Sequence, residues 1–127
     1  MTTQDLQSML EMGVAGFGLR VNSQIVASTA SVVVKSGPGM IFGIEGFNTS
    51  STAAFVKFFD TSSPTVGVTV PVFRVQIPPV ASGPLIIPLE NGKTFGTAIS
   101  VAVTGGIADS DTSAPATNTF ILNIFYK

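Results

Sequence analysis

From residue 25 to residue 127 the apolar side chains recur at every second position, in short runs broken by Gly, Pro, Asn and Ser. "VFRVQIP" (72–78) is the cleanest run: Phe73, Val75 and Ile77 face one way, Arg74 and Gln76 the other. Period two is the signature of a β-strand, whose successive side chains leave on opposite faces. The same alternation runs through "TASVVVKS" (29–36), "MIFGIEGFN" (40–48), "AAFVKFFD" (53–60), "PLIIPL" (84–89), "ISVAVT" (99–104) and "NTFILNIFYK" (118–127). Between them stand turn signals: "GPG" (37–39), "NTSST" (48–52), "VASG" (80–83) and Asn91-Gly92. Residues 61–71 and "TGGIADSDTSAP" (104–115) are longer connections. Pro84 and Pro88 assign their strand to a sheet edge, because proline cannot donate to a ladder. Seven to eight short antiparallel strands at this spacing predict an all-β chain with a single β-sandwich, jelly-roll or Ig-like. Cys and Trp are both absent, so the antibody type of core is excluded.

The first residues read differently. In residues 2–12, Leu6, Met9 and Leu10 fall at i, i+3 and i+4, Thr2 with Asp5 forms a capping box, and Gly13 ends the pattern. This predicts a short N-terminal helix, followed by a flexible arm in "GVAGFGL" (13–19). A helix of three turns is marginal in water and needs a surface to pack on. The expected organisation is helix and arm over 1–24 and one sandwich over 25–127.

Two faces of the predicted strands raise a question. In 53–60, Val56 and Phe58 lie on one face and Phe55, Lys57 and Phe59 on the other. In the last strand, Phe120, Leu122, Ile124 and Tyr126 oppose Thr119, Ile121, Asn123 and Phe125. Both faces are largely apolar, so the outer ones are expected to be covered. Composition points the same way. Charged residues make up 10% of the chain, against about 25% in ordinary soluble domains, and mean hydropathy is +0.52. No apolar run approaches the ~18–20 residues of a spanning helix. Asp5 and Glu11 precede the first basic residue, Arg20, which is unlike a secretory signal. With a net charge of −1 and basic residues scattered singly, no nucleic-acid surface is indicated. The expectation is a protein whose apolar surface is covered by copies of itself or by a partner, without membrane or nucleic acid.

Catalytic chemistry has little to stand on. There is no His and no Cys, no G-x-S-x-G elbow and no S-x-x-K motif. Among the carboxylates only Asp109 and Asp111 are paired by spacing. "GPG" lacks the Lys and Ser/Thr of a phosphate loop, and "GVAGFG" (13–18) follows no strand of a βαβ unit. No enzyme activity and no cofactor are expected. Asp109, Ser110 and Asp111 could contribute oxygens to a calcium ion. The EF-hand spacing is not met, however, and the simpler reading is a solvated loop whose aspartates cap their own turns.

In order along the chain, "SGPGMIFGIEGFNTSSTAAFVKFFD" (36–60), "SPTVGVTVPVFRVQIP" (63–78), "GPLIIPLENGKTFGTAISVAVTGGIADSDT" (83–112) and "ILNIFYK" (121–127) resemble small structural proteins of tailed-bacteriophage virions. The matching pieces are Lys57 through Asp60 as K-x-x-D, the turn Pro64 to Gly67, Ile77-Pro78, the bend Gly92 to Phe95, the Ala102 to Thr104 strand and the A-D-x-D-T loop from Ala108 to Thr112. The resemblance covers about three-quarters of the chain and omits the first 28 residues. It implies a capsid decoration or cement protein on the virion surface, assembled from host cytoplasm, that binds the major capsid protein and stabilises the head as a homo-oligomer, often a homotrimer. On that reading Leu6, Met9, Leu10 and Phe17 would anchor the arm on the capsid. Phe55 and Phe59, or Ile121 and Phe125, would meet between copies. The alternative is a structural protein of a tail or head fibre, or of the neck, with a role in host recognition. A sugar-stacking platform is thin for that role, since only Phe17, Phe47 and Phe95 lie near turns.

Overall fold

The computed structural model describes residues 20–24, 30–115 and 120–127. It contains eight strands: β1 (Arg20–Gln24), β2 (Val32–Lys35), β3 (Gly39–Asn48), β4 (Ala54–Phe59), β5 (Phe73–Ile77), β6 (Leu85–Phe95), β7 (Ile99–Thr104) and β8 (Phe120–Tyr126). A single 3₁₀ turn, Val80–Ser82, is the one helical element among the described residues. The helix expected at 2–12 and the arm that follows lie outside them.

Pairing is nested: β1 with β8, β2 with β7, β3 with β6 and β4 with β5, all antiparallel. The chain is therefore one long hairpin of four-strand arms. Rolling it up adds two further contacts, β3 with β8 and β4 with β7. The result is two sheets, β1-β8-β3-β6 and β2-β7-β4-β5, here called sheet A and sheet B. This is the jelly roll, the first of the two expected topologies.

The inward residues of both sheets make one core. Ile41, Ile44, Leu122 and Ile124 of sheet A meet Val56, Phe58, Val101 and Val103 of sheet B. Phe58 stacks on Phe73 with ring centroids 4.3 Å apart, and Phe95 closes the cluster at a tilt, 6.2 Å from Phe73. Burial alternates as the sequence pattern requires. In β6, for example, Leu85, Ile87 and Leu89 pack on the core while Ile86 and Pro88 face out.

Two local expectations are corrected. Asn91-Gly92 does not end a strand. β6 runs through it and continues to pair with β3, with Pro88 opposite Gly43 and Lys93 opposite Ile41. Residues 89–92 bulge out opposite the single residue Phe42. A two-residue hairpin of the type that Asn-Gly favours needs φ > 0 at both central residues. Only Gly92 has it, at +74°. A Cβ at Gly92 would meet only the yielding end of the Met40 side chain, so it is the positive φ that favours glycine there. The second correction concerns residues 20–24, read as part of the arm. They form β1, an edge strand of sheet A paired along its whole length with β8. The strand with Pro84 and Pro88 is, as expected, at the other edge of that sheet.

Candidate functional site

The two outer faces of the sandwich differ, and that difference defines the candidate site. On sheet B the outward residues of the two central strands, β4 and β7, are largely buried. Lys57 and Phe59 of β4 and Ser100 and Thr104 of β7 each have 0% exposure. The chain closes this face itself with two connections. Ser100 donates from Oγ to the Thr61 carbonyl (2.6 Å), which ties down the start of residues 61–72. Residues 105–113 fold back over Lys57, whose Nζ donates to the carbonyls of Ala108 (2.6 Å) and Asp111 (3.3 Å). The two connections touch, since a Cβ at Gly67 would meet Thr112 and the Ser110 carbonyl. Phe59 is thus sealed under its own chain. The expectation that it meets another copy is overturned, while Phe55 at the far end of the strand is half-buried.

The aspartates of residues 104–115 serve this closure. Arg74 grips the Asp109 carboxylate with both arms of its guanidinium, Nε on Oδ1 and Nη2 on Oδ2. This two-pronged pair straps the connection to β5. It is a surface pair open to water, so its value is geometric more than energetic. Asp111 Oδ1 accepts from both the backbone N–H (2.9 Å) and the hydroxyl (2.6 Å) of Ser113. These bonds hold both carboxyls below the usual carboxylate range, for Asp109 through Arg74 and for Asp111 through Ser113. The cation at the centre of the loop is the Lys57 ammonium. Asp109 and Asp111 do not share an ion-binding cluster with a third acidic side chain among the described residues.

Asp60 acts as a clamp at the other end of β4. Its carboxylate accepts from the backbone N–H groups of Thr97 (2.7 Å), Gly96 (3.0 Å) and Ala98 (3.2 Å), fixing the turn that leads into β7. The Thr97 bond does most to lower its pKa below 3.8, against a smaller opposing effect of burial. A carboxyl depressed in the folded state stabilises the fold above its unfolded pKa, and that stabilisation is lost as pH falls through the folded value. Urea midpoints of the native protein and Asp60→Asn should therefore differ by a constant amount above about pH 5. The gap should close at lower pH; a gap that persists unchanged at pH 2 would contradict the clamp.

Sheet A is open on its outer side. Because Leu122 and Ile124 point into the core, Ile121 and Phe125 point out, and the ladder sets Val21 beside Phe125. Val21, Ile121 and Ile86 are 52%, 47% and 68% exposed. The Phe125 ring lies over Gly43, where a Cβ would stand 3.6 Å from it. Pro88, Phe47 and Glu45 complete the face, and Asn123 donates to Glu45 (3.1 Å). No protein family, curated protein or solved structure matches this chain. The site is accordingly read from its own geometry: an exposed apolar sheet face with one polar pair in it, suited to contact with another polypeptide.

Of the residues singled out in the sequence, Ile121 and Phe125 share this face. Phe55 does not, since it belongs to sheet B. Leu6, Met9, Leu10 and Phe17 lie outside the described residues. Sequence reasoning missed Val21 and Ile86 as members of the face, and Lys57 and Asp60 as the groups that close the opposite one. Lys57 carried a readable signal, a lone cation in an otherwise apolar outward row between Phe55 and Phe59.

Proposed function

We propose that this chain is a capsid decoration protein of a tailed phage, a structural protein that binds the major capsid protein and associates with copies of itself, as a homotrimer. The observation that carries the reading is the open apolar face of sheet A on a jelly roll whose other outer face the chain covers over its central strands, β4 and β7. The ordered resemblance of residues 36–60, 63–78, 83–112 and 121–127 to virion structural proteins gives that face a context. The best-placed carboxylates (Asp60, Asp109 and Asp111) are all engaged in holding loops, which accords with a binding role. In this reading the arm of residues 1–19 contacts the shell through Leu6, Met9, Leu10 and Phe17. Ile121 and Phe125, rather than the sealed Phe59, supply the contact between copies.

Particles assembled without the protein provide the test. Full-length protein added to them should bind in numbers that scale with the shell subunits, and a chain beginning at Arg20 should fold but not bind. Undiminished binding by the shortened chain would remove the arm from the interaction. A few copies confined to the tail or neck would replace this reading with the fibre or neck alternative.

A further inference from the structure

We propose that Asn91 is a deamidation site in the folded protein, and that the bulge at 89–92 takes up the altered backbone without unpairing β6. The proposal stands on the sandwich itself and does not require the phage reading.

The chemistry needs only water. The Gly92 backbone nitrogen attacks Asn91 Cγ and closes a five-membered succinimide ring. The bond from Cγ to the side-chain nitrogen breaks, and that nitrogen leaves as ammonia with the proton given up by Gly92. Water then opens the ring at one of its two carbonyls. Opening at Cγ leaves aspartate on an ordinary backbone. Opening at the main-chain carbonyl leaves isoaspartate, whose main chain runs through Cβ and Cγ and is one atom longer. Nothing is oxidised or reduced.

The attack requires the nitrogen to come close to Cγ, so the next residue must not crowd it and the peptide between must be able to turn. Of the five asparagines in the chain, only Asn91 precedes a glycine. The ladder with β3 passes from Pro88 opposite Gly43 to Lys93 opposite Ile41, which leaves 89–92 out of register. Asn91 is exposed, and its side-chain amide has no hydrogen-bond partner among the described residues.

Two other asparagines show the opposite setting. Asn48 is buried; its Nδ2 donates to the Thr52 carbonyl (2.8 Å) and its Oδ1 accepts from the Ser50 N–H (2.9 Å). Asn123 donates to Glu45 (3.1 Å) from within a continuous ladder. Thr49 and Ile124 follow them, and both are branched at Cβ and crowd the attacking nitrogen. Breaking the two bonds of Asn48 alone slows its reaction by about tenfold or more.

The place of the site decides what the product does. An extra main-chain atom inside a ladder would shift every later pair. Here it falls in slack between two paired halves, residues 85–88 and 93–95. Either product adds one negative charge beside the exposed Glu90, on the edge strand of sheet A. Pro88 of the open apolar face lies three residues away, so ageing charges the rim of that face.

The full-length chain is incubated folded at mildly alkaline pH, where the attacking nitrogen is more readily deprotonated, and in parallel in urea. Peptide mass mapping locates the conversion of amide to acid, and an isoaspartyl methyltransferase reports the longer backbone. In the folded chain Asn91 should convert at least about tenfold faster than Asn48 or Asn123. Asn91→Gln should abolish the isoaspartyl signal, because its ring would need a sixth member. In the aged chain, proton contacts between Ile44 and Ile87 and between Ile41 and Lys93 should persist. An Asn91 that converts in urea but stays intact in the folded chain would overturn the site. So would a rate equal to that of Asn48. Loss of the Ile41–Lys93 contacts on ageing would overturn the role given to the bulge.

Discussion

Lys57→Ala is expected to cost about 3–5 kcal/mol of folding stability, and Lys57→Met about 1.5–3 kcal/mol. The ordering follows from what each change removes. Methionine keeps most of the buried stem and deletes only the charge-assisted bonds to the carbonyls of Ala108 and Asp111. Alanine deletes these and leaves a cavity under residues 105–113. Replacing a buried charge by an apolar group can be neutral where the partners are also apolar or free to move. Here the partners are backbone carbonyls. They are left without a donor unless the connection lifts into water, and lifting it wets Thr104, which is fully buried and donates to the Gly106 carbonyl. Urea denaturation gives the global cost. Limited proteolysis gives the local one, with new cleavage within 105–113 in both variants. A methionine variant as stable and as resistant as the native protein would show that the ammonium does not hold the loop.

Phe58→Ala should be at least as damaging, at about 3–5 kcal/mol for the cavity plus about 1 kcal/mol for the lost ring stacking on Phe73. Domains of this kind are stable by roughly 5–15 kcal/mol in all, so the variant sits near the edge of folding. Its melting temperature should fall by about 10 °C or more. Phe58→Leu keeps most of the volume and should recover more than half of the loss. Equal effects of the two substitutions would mean that the stacked ring, and not the filled space, matters at this position.

Much of the architecture was legible because it depends on local pattern. The alternation in 72–78 and 99–104 places strands within a residue of β5 and β7, and the proline pair correctly marks β6 as an edge. β1 was not legible. Its sequence, "RVNSQ", holds one apolar residue and no alternation, and it becomes a strand only because β8 offers a full ladder. Asn91-Gly92 misled for a related reason. Its turn tendency is local, but Lys93, Thr94 and Phe95 remain in register with β3, and the longer ladder prevails. For the candidate site, the two-faced apolarity of β4 and β8 was visible, and which face the chain would cover was not. The decisive bond joins Lys57 to a carbonyl 51 residues away, and nothing in the neighbourhood of either residue encodes the other. Asp60 reaches 36 to 38 residues forward in the same way.

The nested pairing also sets an order of entropic difficulty for folding. β4 and β5 need close only residues 60–72, whereas β1 and β8 would have to bring together the ends of 25–119. Closing the longer loop from an open chain costs about 2 kcal/mol more. Once β4–β5, β3–β6 and β2–β7 are in place, the last pair faces only a short closure. The path of least loss therefore zips from the middle of the chain outward. The outermost strands of the nest, β1 and β8, are paired last, and of the nested pairs theirs is the one that opens without unthreading the rest.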